Sequence, residues 1–351
     1  MTTQLRNEVP LIAKRENILY LDVLRITAIY LVILLHALNP WLTAQEIYNT
    51  LIWKAALLIS PIDRMGVPLF FMLSGYLILS DPRTLDIASF YKRRLPRILI
   101  PFLVWNIIYY VVYTVIGGEG LSVVVFLKEI LKQNIKYHFW YIYTLVGMYV
   151  FAPFLKRMID GCTKKQSMLL LFLILLPVTI FPFIHFFTNV WVSAFPTMME
   201  GYLGFFVLGY LLGNWPVDRK YKWILYAAGI AAWLGGAWGN YISSTAEQIN
   251  VPFNTGYNLV HYLTAGAFFV LVQSMSDQLA LILPVKWIKY WAGLTFGIYL
   301  CHVLVMDLWY GVISFSSPAL TIFASFVSTS VLSTLCMAVV SLIKPIKKFL
   351  M

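Results

Sequence analysis

The sequence predicts an all-α fold, a polytopic transmembrane helical bundle of about ten spans. Three observations lead there. Of the 351 residues, 60% are hydrophobic and 12% carry charge, and the mean hydropathy is +0.78, more apolar sequence than a water-soluble core needs. Apolar runs of about 20 residues, enough for a helix to cross a bilayer, recur along the chain. A helix satisfies its own backbone in lipid, so runs of that length indicate a bundle; the strands of a barrel need only about half as many residues.

The elements follow in order. Residues 1–17 are polar and read as a tail, 18–343 as one membrane domain, and 344–351 as a second tail. The spans fall at 18–38, 54–80, 97–117, 138–156, 167–187, 198–214, 222–241, 257–275, 291–310 and 319–343. The first lacks a small-residue cleavage pattern before Asn39-Pro40 and reads as a retained span, not a signal peptide. Pro96 marks the start of the third, because proline is well placed in a first helical turn. The short sixth span is the weakest of the set, and eight or twelve spans are the alternatives.

Orientation comes from lysine and arginine, which concentrate in cytoplasmic loops. Arg25 and Arg64 lie inside spans, and Lys54, Lys128, Lys132 and Lys136 lie on one side. The other 20 of the 26 lie on the opposite side, with both termini, so an even span number with cytoplasmic termini is expected. The net charge of +11 is then a consequence of topology and implies no nucleic acid partner. Three cysteines, Cys162, Cys301 and Cys336, form neither a disulfide framework nor a CxxC metal site. No internal repeat, low-complexity segment or separate soluble domain is visible.

Ionisable residues inside such spans are costly and point to function. The first span carries Asp22, Arg25 and His36. Arg25 and His36 are eleven residues apart, which returns them to within roughly 20° of one helix face, roughly 16 Å apart along the axis. Arg25 has Asp22 three residues back as a candidate partner, and Arg64 is expected to need a partner elsewhere in the bundle. The orientation puts Arg25 toward the cytoplasm and His36 toward the outside. It puts His138, His185, Glu200, His261 and Asp307 in the outer half, His302 near mid-depth, and Arg94 and Arg97 at the cytoplasmic surface. Arg94 and Arg97 share a face if the segment is helical, and arginine forks suit phosphates, although boundary cations are also ordinary topology markers. Ser74 and Gly75 equally suit close helix packing, and His138, Trp140 and Tyr141 equally suit an interfacial aromatic belt. No HExxH-like spacing or Gly-x-Ser-x-Gly elbow occurs, so neither a metal nor a serine acyl-enzyme is expected.

Four stretches, in this order and spacing, carry a family likeness. They are Leu21-Asp22 with Arg25 and His36; Arg64-Met-Gly-Val-Pro-Leu-Phe70-Phe71-Met-Leu-Ser74-Gly75-Tyr76; Arg94-x-x-Arg97 followed by Ile-Leu-Ile-Pro101; and Gly297-Ile-Tyr-Leu-Cys-His302. Together they resemble the acyltransferase-3 family of integral-membrane O-acyltransferases, and Tyr137-His138-Phe-Trp140 looks like that family's His-x-Trp segment. The compact length is similar to that of bacterial enzymes that O-acetylate enterobacterial common antigen.

The resemblance implies a bacterial inner-membrane O-acyltransferase, most simply an O-acetyltransferase. Acetyl-CoA or another acyl-CoA would be a substrate, with no permanently bound cofactor. A hydroxyl of a periplasm-facing or lipid-linked glycan would be the acceptor. It gives catalytic roles to His36, Arg25 and His302, with His36 as general base and an arginine or His302 stabilising the oxyanion. Arg94, Arg97 and Arg64 would bind the donor, and His138, Trp140, Tyr141 and Ser74 would line the acceptor site or pocket. A proton-coupled glycolipid or sugar transporter or flippase explains the buried ionisable residues as well, but explains the Arg25–His36 spacing and the Arg-x-x-Arg pair less well.

Overall fold

A computed structural model describes residues 19–188, 197–313 and 315–351, with side chains omitted at 178–187 and 197–200. The expected tail at 1–17 and the side chains of His185 and Glu200 lie outside the described residues. All regular structure among the described residues is helical. The α-helices are α1 (Leu19–Leu42), α2 (Leu51–Asp63), α3 (Gly66–Leu79), α4 (Ile87–Ile116), α5 (Val123–Leu131), α6 (Trp140–Asp160) and α7 (Lys164–Thr188). They continue as α8 (Thr197–Asn214), α9 (Arg219–Ile242), α10 (Leu259–Ser274), α11 (Ser276–Ile282), α12 (Val285–Tyr310), α13 (Pro318–Leu342) and α14 (Lys344–Leu350).

Among the described residues, six stretches are long and apolar enough to cross a membrane: α1, Leu51–Leu79, α4, Tyr137–Asp160, α12 and α13. A seventh is the pair α10–α11, if the two helices, bent by 59°, count as one span. The protein is a multi-pass membrane protein. Beyond shifts of a few residues at span ends, three features differ from those the sequence predicts. The segment 54–80 is two helices, broken at Arg64 and Met65. The third span does not begin at Pro96. Its helix starts at Ile87, where the Asp86 side chain accepts from Ser89 N at 3.2 Å, and Pro96 and Pro101 lie inside it. Proline is tolerated within membrane helices because neighbouring groups satisfy the backbone that it frees. Residues 344–351 are not a simple tail: 344–350 form α14, which packs on α4 where Trp105 Nε1 donates to Leu350 O at 3.2 Å.

The site is positioned by how α1, α3, α4, α6 and α12 meet. α3 packs on both α1 and α8, and α1, α12 and α13 pack on one another. The α3–α8 crossing is so close that a Cβ at Gly75 would overlap the Phe206 main chain, and one at Gly209 the Met72 main chain. Small residues allow this kind of approach where lipid supplies little hydrophobic drive between helices. Of the Ser74-Gly75 pair, the glycine therefore serves packing, and Ser74 is left to face a cavity.

Candidate active site

A cavity of about 210 Å³ opens between α1, α3, α4, α6 and α12. Arg25, Arg94 and Arg97 line it together with Ser74, Tyr141, Tyr149, Phe70 and Tyr299. Arg94 and Arg97 reach it because α4 is helical from Ile87, so residues three apart share a face. Arg25 is paired with Asp22 across 3.4 Å, one turn back on α1. Arg94 stands 3.8 Å from Asp81, whose carboxylate is already held by Arg83 through two contacts of 3.1 Å. Three guanidiniums thus face a cavity whose nearby carboxylates, Asp22 and Asp81, are engaged with arginines. The arrangement suits an anion, because planar guanidinium forks match phosphate or carboxylate oxygens.

Deeper along the same helices lies a cluster of three histidines. The rings of His36 on α1 and His302 on α12 are 5.3 Å apart, and His138 packs on His302 at 5.2 Å. His138 and His302 are fully buried and His36 is half-buried. His302 Nδ1 is 2.6 Å from Tyr299 O. A carbonyl only accepts, so Nδ1 carries the proton and Nε2 keeps its lone pair. Neither ring nitrogen of His138 has a hydrogen-bonding partner among the described residues, but its main-chain carbonyl accepts from Tyr299 Oη at 2.5 Å. Tyr299 is the link: it walls the arginine cavity and its ring lies 5.6 Å from His302 and 5.7 Å from His138.

The other expected residues fall as follows. Arg64 does not line the arginine cavity. It is buried at the α2–α3 break, paired with Asp63 at 3.1 Å, and it donates to Asn39 Oδ1 at 2.7 Å and Asn254 O at 2.9 Å. Its carboxylate partner is its immediate chain neighbour, not a residue elsewhere in the bundle. The buried pair fixes the break against the end of α1. Trp140 stacks near Tyr202 at 5.0 Å and is not a cavity wall, whereas Tyr141 and Ser74 are. His261 is fully buried on α10, away from the cavity lining. Asp307 binds Lys136 and Tyr113 beyond the histidines.

Sequence reasoning missed Tyr299 and Tyr149 as cavity walls, and Tyr137, whose ring lies 5.2 Å from that of His36. For Tyr299 a signal existed, since it precedes His302 by three residues and shares its helix face. Tyr149 has none in a chain that is 17% aromatic.

A membrane bundle with an arginine-walled cavity leading to buried imidazoles is the kind of site that holds an anionic substrate next to a proton acceptor. The model of an acyltransferase domain matches residues 18–341, and the chain belongs to the acyltransferase-3 family. It is a membrane acyltransferase. No curated protein and no solved structure matches the chain.

Proposed function

We propose that the protein is an O-acyltransferase of a bacterial inner membrane, most simply an O-acetyltransferase using acetyl-CoA. The topology proposed with it is ten spans with both termini in the cytoplasm, from the distribution of lysine and arginine. The observation that carries the reading is the junction at Tyr299, where a cavity walled by Arg25, Arg94 and Arg97 meets the His36–His138–His302 cluster. The donor's phosphates bind Arg94 and Arg97 from the cytoplasm, and its pantetheine arm carries the thioester toward His36. A hydroxyl of a periplasm-facing or lipid-linked glycan, of the kind modified in enterobacterial common antigen, approaches from the other side.

His36 takes the hydroxyl proton as the oxygen attacks the thioester carbonyl. The C–O bond forms, the C–S bond breaks, and the coenzyme leaves as thiolate that recovers the proton. Neutral His302 spends its N–H on Tyr299 O, so it has no donor left for an oxyanion. Arg25 lines the cavity from the helix of His36 but stands roughly 16 Å from it along the axis, so its role is to hold the donor from the cavity wall. Transfer of radiolabelled acetyl groups in membranes containing wild type or His36→Ala tests the reading. Transfer is expected to collapse in the variant, and equal transfer by both would end the general-base assignment.

A further inference from the structure

The turn that bears His138 is held from outside the histidine cluster. Lys136, immediately before the turn Tyr137–Phe139, places Nζ 2.5 Å from Asp307 Oδ2 near the C-terminal end of α12. Tyr113, near the end of α4, donates its hydroxyl to the same oxygen and lies 3.2 Å from Nζ. The ammonium also stands over the Tyr113 ring at 4.3 Å and by the Tyr137 ring at 5.5 Å. The next two residues each touch one of the paired histidines. Tyr137 packs on His36 and His138 on His302, each at 5.2 Å between ring centroids. With no ring hydrogen bond of its own among the described residues, His138 is fixed by packing, by the Tyr299 bond to its carbonyl, and by what holds the turn.

We propose that Lys136 and Asp307, braced by Tyr113, are a latch that presses Tyr137 and His138 onto His36 and His302. They are positioning residues for acyl transfer. The ion pair is partly buried, its side chains 18% and 34% exposed. Removing one partner therefore strands the other in a poorly solvated place, and the turn relaxes. None of the three latch residues lines the arginine cavity, so the donor site is untouched. The inference rests on His36 acting as the base.

The test uses the full-length protein in membranes with radiolabelled acetyl-CoA, comparing Lys136→Met, Asp307→Asn, Lys136→Arg and His36→Ala. Lys136→Met and Asp307→Asn are expected to lower kcat by about tenfold or more with KM for acetyl-CoA within about twofold, since misplaced catalytic groups slow chemistry without weakening uniform binding. Lys136→Arg keeps the charge and is expected to restore most of the rate. Amide exchange over residues 134–139 rises in the Met and Asn variants and not in the Arg variant. Wild-type kcat in both disrupted variants beside an inactive His36→Ala, or a change confined to KM, overturns the latch. If His36→Ala is itself as active as wild type, the base assignment has failed. Amide exchange then decides the latch alone, and unchanged exchange overturns it.

Discussion

Replacing Arg94 and Arg97 together by alanine is expected to weaken donor binding and spare the chemical step. Arg94 and Arg97 both line the cavity, where Arg94 stands 3.8 Å from Asp81, a carboxylate that Arg83 also grips. The Arg94 side chain is 33% exposed, so each charge-assisted hydrogen bond belongs at the weaker end of its range, about 1.5 kcal/mol, or roughly tenfold in affinity. Two independent losses would raise KM for acetyl-CoA by about 100-fold, and by less if both arginines hold one phosphate, because contacts to a shared group are not additive. Both arginines wall the cavity from α4, whereas the histidines sit on α1, on α12 and in the turn before α6, so kcat is expected to stay within about twofold, the mark of lost uniform binding. Lysine at both positions keeps the charge without the fork and should recover part of the affinity. The assay is initial-rate acetyl transfer against acetyl-CoA concentration, with free coenzyme A as competitor. An unchanged KM in the double alanine variant would return both residues to the role of boundary cations.

Two further outcomes concern the scaffold. Gly75→Ala, which drives a Cβ into the Phe206 main chain, is expected to cost about 1–3 kcal/mol; Gly293→Ala, whose Cβ meets nothing within 4 Å, is the control. Thermal unfolding in detergent should separate the two, and coincident melting would contradict the close α3–α8 crossing. Asp63→Asn leaves Arg64 buried without its anion and should cost about 3–5 kcal/mol, part of which returns when Arg64→Gln is added. An unshifted melting temperature in the single variant would refute the pair's role at the break.

Much of the bundle was legible because lipid imposes long apolar runs, and a charge inside one stands out. Arg25 was found that way and lines the cavity, and the three-residue spacing of Arg94 and Arg97 correctly placed both on one helix face. Pro96 misled because a residue well suited to a first turn here lies inside α4, whose start is set upstream by the Asp86 cap. The α2–α3 break was hidden because both halves are apolar, and a hydropathy pattern carries no record of a turn. Asp63 beside Arg64 was in plain view. It pairs with Arg64 at the break, outside the lining of the arginine cavity, and the pairing depends on the break itself. Lys136 entered only the count of charges by side, because its partner, Asp307, is 171 residues away.

Tyr299 shows why the arginine-walled cavity and the imidazoles have to be considered as one unit. Its ring walls the cavity, its hydroxyl donates to the carbonyl of the His138 turn, and its own carbonyl accepts the hydrogen bond from His302 Nδ1–H. The tautomer of His302 is therefore set by the backbone of α12 before any ligand arrives, and its free Nε2 can accept a proton but not give one. On the proposed reaction, that leaves His36 as the half-exposed imidazole able to meet an incoming hydroxyl, with His302 behind it as an acceptor in a buried setting. Prearranged groups of this kind need no reorganisation as charge develops in the transition state. The same argument explains why the latch at Lys136 matters to chemistry and not to the donor. It acts on the turn that packs against both imidazoles, at the end of the cluster away from the arginines.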